Sequence, residues 1–213
     1  MKWRESLFWK VFILGFLLLW PLALAFGQEK AVQNGATHDG QEVACDIPDA
    51  MRVHNTIGIN GAGLCVWAST EMAARYQQCK GMVGIFDHMK SQLGGGWPSR
   101  VDAMMKRYAP ETKYRQFVGG GDEGLAFIKQ AIDSGRPCCV TYGYGELYGG
   151  RTIAHMVLCV ALDDEWAAIL DNNDEHHIWW MSAAEFRKRF LHPRGQGWAW
   201  YTFAPPPPPV PHN

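Results

Sequence analysis

The sequence predicts an α+β domain, because helical patterns dominate its first half and short apolar strand patterns its second half. The helical patterns, in which apolar residues recur at helical spacing, lie at 66–80, 85–93, 99–109 and 123–134. The strand patterns, which are apolar and bounded by turns, lie at 138–142, 154–162, 166–171, 176–181 and 197–204. An extended segment at 113–118 and a short helix at 184–190 complete the order. Helices first and strands second favour N-terminal helices packed on a C-terminal antiparallel sheet.

Residues that begin or end helices give the expected boundaries of these elements. Gly81 is expected to end the first helix, and Gly135 to close the fourth. Ser99 is placed as the N-cap of the third helix and Asp122 as the N-cap of the fourth. The acidic turn at 163–165 joins the strands on either side of it into an antiparallel hairpin.

The composition fits one folded domain with appendages. Of the 213 residues, 47% are hydrophobic, which is enough to form one core. The formal net charge is −1, and no basic block follows the N-terminal segment, which argues against nucleic acid as a partner. We place the domain at 45–203, after a polar linker at 26–44 and before a proline-rich tail at 204–213.

The N-terminal segment 1–25 has the pattern of a secretory signal. Basic residues stand among its first positions, an apolar run follows at 11–26, and Ala-Leu-Ala at 23–25 offers the small residues that signal peptidase reads. An uncleaved anchor is the alternative, although the run is shorter than the about 20 residues of a usual span and contains Pro21. Either interpretation predicts an exported domain, periplasmic or extracellular, that meets a membrane only through this segment.

The chain has six cysteines, whose pairing the sequence leaves open. An even count in an exported protein is compatible with three disulfides, or with a reactive thiol beside pairs and buried thiols. A Cys45–Cys79 bridge, or one that involves Cys138, fits the pattern. Cys138 and Cys139 are neighbours on a strand, so we expect only one of them to face inward. No C-x-x-C pair occurs, which argues against a cysteine zinc site.

Cys65 stands at the first turn of the first predicted helix, in the sequence GAGLCVWAST. The unpaired N–H groups and partial positive charge of a helix N-terminus lower the pKa of a thiol and can hold an oxyanion beside it. Gly63 lets a substrate backbone approach without a side chain in the way. These features suit a nucleophile, with a buried structural cysteine as the alternative.

A thiol nucleophile needs a base, and His155 stands out among the histidines. It opens the most apolar strand pattern, where an imidazole is either a satisfied core histidine or a positioned base. The predicted hairpin brings Asp171, at the end of the returning strand, beside His155. A carboxylate there can orient the imidazole; the simpler alternative is a turn formed by Asp171, Asn172 and Asn173.

The order of these residues resembles the papain-like cysteine peptidase superfamily. CVWAS is similar to the start of the papain nucleophile helix, with Trp67 displaced by one position. The segments SGRPCCVTYGYG and AHMVLCVALDDEWAAILDNN are similar to a bacterial branch related to the double-glycine leader peptidases that process bacteriocins. The resemblance covers roughly 45–200 and implies a papain-like fold.

The resemblance also implies a role for individual residues. Cys65 matches the nucleophile, and His155 matches the general base that later protonates the leaving amine. Asp171 matches the orienting acid, with Asn172 as its alternative. The resemblance therefore implies a triad of cysteine, histidine and an aspartate or asparagine.

The oxyanion donor departs from the family pattern. The family places a glutamine a few residues before the cysteine, where this sequence has Ile59. Asn60 is the candidate that replaces it, with Asn55 as the less favoured one. Without either side chain, the oxyanion would be held by the backbone N–H of Cys65 alone.

The candidates for the substrate groove are Gly63 and Trp67 beside the nucleophile, and Tyr144 and Tyr148 on the glycine-rich loop that precedes the His155 strand. The sequence Glu-His-His at 175–177 invites a metal interpretation. Adjacent histidines on a strand point to opposite faces, however, so we expect no metal site and no cofactor.

The sequence therefore predicts an exported cysteine peptidase, a hydrolase that cleaves a peptide or protein substrate through a thioester. One alternative is a cell-wall peptide hydrolase or transpeptidase with the same cysteine and histidine. Another is a catalytically silent papain-like binding domain. The sequence leaves the oligomeric state open.

Overall fold

The computed structural model of the chain describes the residues 32–34, 37–38, 40–58 and 63–202. The described residues belong to one compact unit. The predicted signal peptide at 1–25 and proline-rich tail at 204–213 lie outside the described residues. In the part of the chain that is described, no helix combines the length and the apolar character that a membrane span requires.

The strands are antiparallel to their neighbours throughout. Their bounds are β1 Val32–Asn34, β2 Thr37–His38, β3 Gln41–Glu42, β4 Tyr114–Phe117, β5 Cys138–Tyr142, β6 His155–Leu162, β7 Trp166–Leu170, β8 Ile178–Ser182 and β9 Ala199–Thr202. Within the described segments, seven of these strands form one sheet in the order β1-β8-β7-β6-β5-β9-β4, and β2 pairs with β3 alone. The hairpin predicted across the acidic turn is formed by β6 and β7.

Helices pack against the central strands of this sheet. Their bounds are α1 Cys65–Tyr76, α2 Ile85–Lys90, α3 Pro98–Tyr108, α4 Gly121–Asp133 and α5 Ala183–Phe190. Helix α1 contacts β5 and β6, α4 contacts β5, β6 and β9, and α5 contacts β5, β7 and β8. The predicted α+β class is therefore confirmed.

The central strands β5 and β6 are buried along their whole length. Because alternate residues of a strand point to opposite faces, both faces of the sheet must be covered at this point. The expectation that only one of Cys138 and Cys139 faces inward is therefore wrong: they are 0% and 1% exposed. The strand is buried on both faces, so neither thiol reaches solvent.

Several predicted helix boundaries differ from the observed ones. Helix α3 begins at Pro98, and Trp97 is its N-cap, so Ser99 lies inside the first turn. Asp122 also lies in a first turn, because Gly120 occupies the N-cap position of α4. Helix α1 ends before Gly81, since Gln78 adopts a left-handed conformation with φ of 54°. Proline is well suited to the first helical position, which explains the start of α3.

The predicted linker at 26–44 carries structure in its described part. Strand β1 pairs with β8 at the edge of the main sheet, and β2 and β3 form a hairpin. Val43 is 7% exposed and joins the core. The prediction of a linker was wrong there, because strand pairing uses backbone groups and can add a polar segment to a sheet edge.

All six cysteines are free thiols. None of the disulfides considered from the sequence is formed, and Cys79 Sγ instead lies 3.2 Å from Thr112 Oγ1. Burial raises the pKa of Cys45 to about 12 and raises the pKa values of Cys138 and Cys159 as well. A raised pKa favours the protonated form of these buried thiols, which is the unreactive form.

Candidate active site

Cys65 is the first residue of α1 and is only partly buried, whereas residues 66–74 of the same helix are fully buried. The helix thus runs into the core, and the side chain of Cys65 at its start remains partly accessible. Gly96 lies against this first turn, because a Cβ at Gly96 would stand 2.5 Å from Val66 Cβ. Only a residue without a side chain permits that close approach.

His155 is the first residue of β6, and Asp171 directly follows β7, the strand that pairs with β6. His155 Nε2 donates a hydrogen bond of 2.8 Å to Asp171 Oδ1. The two side chains are 7% and 2% exposed, so their hydrogen bond is shielded from water. The adjacency predicted from the hairpin is present in the structure.

The imidazole of His155 also interacts with Cys65, and the hydrogen-bonding and charge interaction between them shifts the pKa of both groups. Because Nε2 already donates to Asp171, Nδ1 is the ring nitrogen that remains for the thiol. Asp171, His155 and Cys65 therefore stand in sequence, with a hydrogen bond between Asp171 and His155 and an electrostatic interaction between His155 and Cys65. Such a line, with the acid orienting the base and the base facing the nucleophile, is the geometry of an activated thiol.

The electrostatics of the pair favour a charged thiolate and a charged imidazolium. Burial alone would raise the pKa of Cys65, but the hydrogen bond and the positive charge of His155 outweigh it and hold that pKa below its ordinary value. Burial would likewise lower the pKa of His155, but hydrogen bonds to Asp171 and to Cys65 raise it to about 10. The thiolate, which is the reactive form of cysteine, is thereby stabilised.

Asp171 is held as a carboxylate by several donors. Burial would raise its pKa, yet the hydrogen bond and charge of His155 lower it, and further donors add to this effect. The backbone N–H of Asn173 donates to Oδ1 at 2.9 Å, and the hydroxyl of Tyr148 donates to Oδ2 at 2.7 Å. Both carboxylate oxygens are therefore occupied, which fixes the orientation of the group.

Asn172, the predicted alternative to Asp171, has a different role. Its side chain is 0% exposed, and its Nδ2 donates to the backbone oxygen of Met156 at 2.7 Å and to Ser69 Oγ at 3.0 Å. The backbone oxygen of Cys65 lies 3.3 Å from the same nitrogen. Asn172 thus ties α1 to β6 and does not orient His155. Sequence reasoning missed this connection, because the partners lie far apart along the chain.

The oxyanion candidate Asn60 and the neighbouring Ile59 lie outside the described residues. Asn55 is described, and its Oδ1 accepts a 3.0 Å hydrogen bond from the backbone N–H of Leu64, the residue before the nucleophile. Its Nδ2 stands 3.8 Å from the Cβ position of Gly63. The side chain of Asn55 is therefore held next to the start of α1.

A cleft of about 340 Å³ opens beside Cys65. Cys65 and His155 line it together with Gly63, Gly95 and Trp97. A Cβ at Gly95 would stand 3.3 Å from the backbone oxygen of Gly63, so the glycines leave little side-chain bulk on this wall. Sequence reasoning did not place Gly95 or Trp97 in the substrate groove, although the run of three glycines before Trp-Pro was a visible signal.

Of the four predicted groove residues, Gly63 lines the cleft and the other three do not. Trp67 is 1% exposed and belongs to the core, because α1 is buried around its circumference. Tyr144 lies edge-on to His192, with their ring centroids 5.7 Å apart, away from the cleft lining. Tyr148 lies behind the triad, on Asp171.

Side chains of the Glu-His-His sequence form hydrogen bonds at the surface. Glu175 Oε2 lies 2.7 Å from His54 Nδ1, and His177 Nδ1 lies 2.8 Å from Asp174 Oδ1. Among the residues that the structure describes, no group of three or more His, Cys, Asp and Glu side chains is arranged to hold a metal ion.

The arrangement at the cleft supplies a nucleophile, a proton donor and an orienting carboxylate. A thiolate can attack a carbonyl carbon, and an imidazolium beside it can protonate a leaving amine. No protein-family model matches the sequence, and no curated protein sequence is significantly similar to it. The chemistry assigned to this chain therefore rests on the geometry of Cys65, His155 and Asp171.

Proposed function

We propose that this chain is a cysteine peptidase with a papain-like fold that acts outside the cytoplasm. The observation that carries the proposal is the hydrogen bond between Asp171 and His155, together with the interaction of His155 with Cys65 at the edge of an open cleft that both residues line. The placement of the nucleophile on a helix, and of the other two residues on adjacent strands of an antiparallel sheet, supports the papain-like fold. The N-terminal pattern of the sequence supports export.

The reaction follows from the protonation states of the pair. The Cys65 thiolate attacks the carbonyl carbon of the scissile bond and forms a tetrahedral oxyanion. His155 gives its Nδ1 proton to the leaving nitrogen, so that the C–N bond breaks and an acyl thioester remains on Cys65. Water then attacks the thioester while His155 accepts its proton, and the acid product leaves as the thiolate returns.

The cleft suits an extended peptide. Gly63, Gly95 and Gly96 contribute no side chains to its wall, so a substrate backbone can come close. Trp97 is 51% exposed at the same cleft and offers an aromatic surface to a substrate side chain. These features support peptides as the substrate class.

The decisive experiment combines thiol labelling with digestion. The purified chain is treated with iodoacetamide between pH 5 and pH 10, and the modified cysteines are identified by mass spectrometry. We expect single-site labelling of Cys65 at pH values well below about 8.5, the region of an ordinary thiol, and loss of this reactivity in His155→Ala. Uniform slow labelling of all thiols would overturn the proposal and leave a catalytically silent binding domain.

Digestion then separates the peptidase from its nearest alternative. The wild-type chain and Cys65→Ala are incubated in parallel with a peptide library and with cell-wall muropeptides. Cleavage of library peptides by the wild type alone supports a general peptidase. Cleavage or exchange confined to muropeptides would instead assign a cell-wall hydrolase or transpeptidase.

A further inference from the structure

We propose that Tyr148 is a positioning residue of the triad, which locks the Asp171 carboxylate in the orientation that accepts from His155, and that the Arg189–Glu146 ion pair holds Tyr148 in place. The inference rests on the proposed function, since it assigns a residue that acts on the same triad. It gives a role to the loop at 143–150, which does not line the cleft.

Tyr148 meets the triad through two kinds of contact. Its hydroxyl donates to Asp171 Oδ2 at 2.7 Å, and its ring lies edge-on to the imidazole of His155 with the centroids 5.5 Å apart. Asn173 Nδ2 donates in turn to the Tyr148 hydroxyl at 3.0 Å. The hydroxyl therefore has a defined donor and a defined acceptor, so the direction of its own hydrogen bond to Asp171 is set.

These contacts fix a group that would otherwise rotate. Asp171 Oδ1 accepts from His155 Nε2, and Oδ2 accepts from Tyr148, so the carboxylate cannot turn without losing one of the two bonds. Burial, and the nearby charge and hydrogen bond of Asp171, raise the pKa of Tyr148, so the phenol stays protonated and remains a donor. The positions of the two donors together determine the plane of the carboxylate and hence the direction of the imidazole.

Tyr148 lies on a loop that is anchored from the other side. It ends the short 3-10 turn Glu146–Tyr148, and the glycines that follow it have φ values of 60° and 72°. Arg189 of α5 binds Glu146 through two hydrogen bonds, of 2.8 Å and 2.6 Å. The backbone N–H of Gly143, at the start of the loop, also donates to the backbone oxygen of Arg189 at 3.0 Å.

The anchor itself is buried and held by several hydrogen bonds. Arg189 is 2% exposed, and its Nε donates to Glu185 Oε1 at 2.9 Å while Nη1 also donates to the hydroxyl of Tyr142. A buried guanidinium with two carboxylate partners has one favourable geometry, because its donors form a planar fork. The ion pair between Arg189 of α5 and Glu146 thus fixes the position of the turn that carries Tyr148. Tyr148 in turn fixes the orientation of the Asp171 carboxylate.

The test is the variant Tyr148→Phe, which keeps the ring and removes the hydroxyl. The rate of hydrolysis is measured on the library peptide that the wild type cleaves best. We expect kcat to fall about tenfold, the loss that corresponds to a weakened hydrogen bond to a charged group. KM should not change, because Tyr148 does not line the cleft.

A matched control is Tyr114→Phe. Tyr114 donates from its hydroxyl to Asp102 Oδ1 at 2.6 Å, so this variant also removes a tyrosine–aspartate hydrogen bond, on strand β4 and outside the triad. It should keep the wild-type kcat. An equal loss in both variants would mean that the effect is general destabilisation, and this would overturn the proposal.

A double-mutant cycle identifies the path of the effect. Tyr148→Phe is expected to lower kcat in the wild-type background and to change it little in an Asp171→Ala background, because the group that Tyr148 positions is then absent. Glu146→Gln should lower kcat in the same direction and add nothing to Tyr148→Phe. Additive losses in these cycles would contradict the assignment.

A spectroscopic measurement separates this proposal from the proposed function. The ¹³C resonance of the Asp171 carboxyl is titrated in the wild type and in Tyr148→Phe. Removal of the Tyr148 hydroxyl should raise the pKa of Asp171, because a hydrogen bond to the charged carboxylate is lost. Unchanged titration would overturn the role of Tyr148 even if peptides are cleaved. A raised pKa in a chain that cleaves no peptide would support the positioning contact and refute the peptidase.

Discussion

His155 Nε2 donates a hydrogen bond of 2.8 Å to Asp171 Oδ1, although the two residues stand 16 positions apart at the open end of the β6–β7 hairpin. This bond occupies Nε2 of the imidazole and leaves Nδ1 facing Cys65. The direction of the base therefore depends on this carboxylate, and its protonation state depends on Asp171 and Cys65 together.

Asp171→Asn should lower kcat by at least about 100-fold, since an amide of the same shape loses the charge that stabilises the imidazolium and can select the wrong tautomer. Steady-state hydrolysis of a library peptide measures the effect. The matched control is Asp174→Asn, which alters a carboxylate that pairs with His177 on the surface. A variant of Asp171 with full activity would remove this residue from the triad.

The pH dependence of hydrolysis should be bell-shaped with its basic limb near pH 10. The pKa of His155 is raised to about 10, so the imidazolium that protonates the leaving amine is present below that pH and is lost above it. The pKa of Cys65 is lowered, so the thiolate persists below the ordinary thiol range and is lost only as the pH falls further. A basic limb close to pH 6.5, the value of an unperturbed histidine, would contradict the ion pair.

Asn172→Ala should destabilise the fold by about 2–4 kcal/mol, because it removes a buried amide with several hydrogen bonds and leaves a cavity between α1 and β6. Urea denaturation of the two chains measures the difference. Gln92→Ala, at an exposed position after α2, is the control and should lie within about 0.5 kcal/mol of the wild type. Equal stability of Asn172→Ala and the wild type would show that this connection is dispensable.

Trp97→Ala should raise KM for peptides about tenfold, which corresponds to roughly 1.4 kcal/mol of lost binding energy. The indole is exposed at the cleft and supports no core packing, so the fold should be kept. Leu93→Ala is the matched control, because Leu93 is 67% exposed on the same loop but does not line the cleft. An unchanged KM for Trp97→Ala would place the substrate elsewhere.

Asn60→Ala should lower kcat by about two to three orders of magnitude with little change in KM, if this side chain replaces the oxyanion donor of the family. Asn55→Ala is compared directly, since Asn55 is held beside Gly63 and Leu64. The larger loss in Asn55→Ala would transfer the oxyanion role to that residue. Full activity in both would leave the backbone N–H of Cys65 as the donor.

Much of the fold could be predicted because its signals are local. The strand β5 was predicted with its exact bounds, and β6 and β7 to within one residue, because apolar runs end where turn residues begin. The adjacency of His155 and Asp171 followed from the same hairpin. The polar strand β1 was missed, because its pairing with β8 depends on backbone groups and leaves no apolar pattern.

The sequence by itself determined the α+β class, the order of the elements and the residue types that could form a triad, because each depends on neighbours along the chain. The tertiary structure decided which side chains meet. It placed Trp67 in the core, gave Asn172 to the α1–β6 contact, and brought Tyr148 to Asp171. These outcomes depend on how the helices pack on the sheet. Contacts between side chains that are distant in sequence cannot be predicted from local patterns of residues.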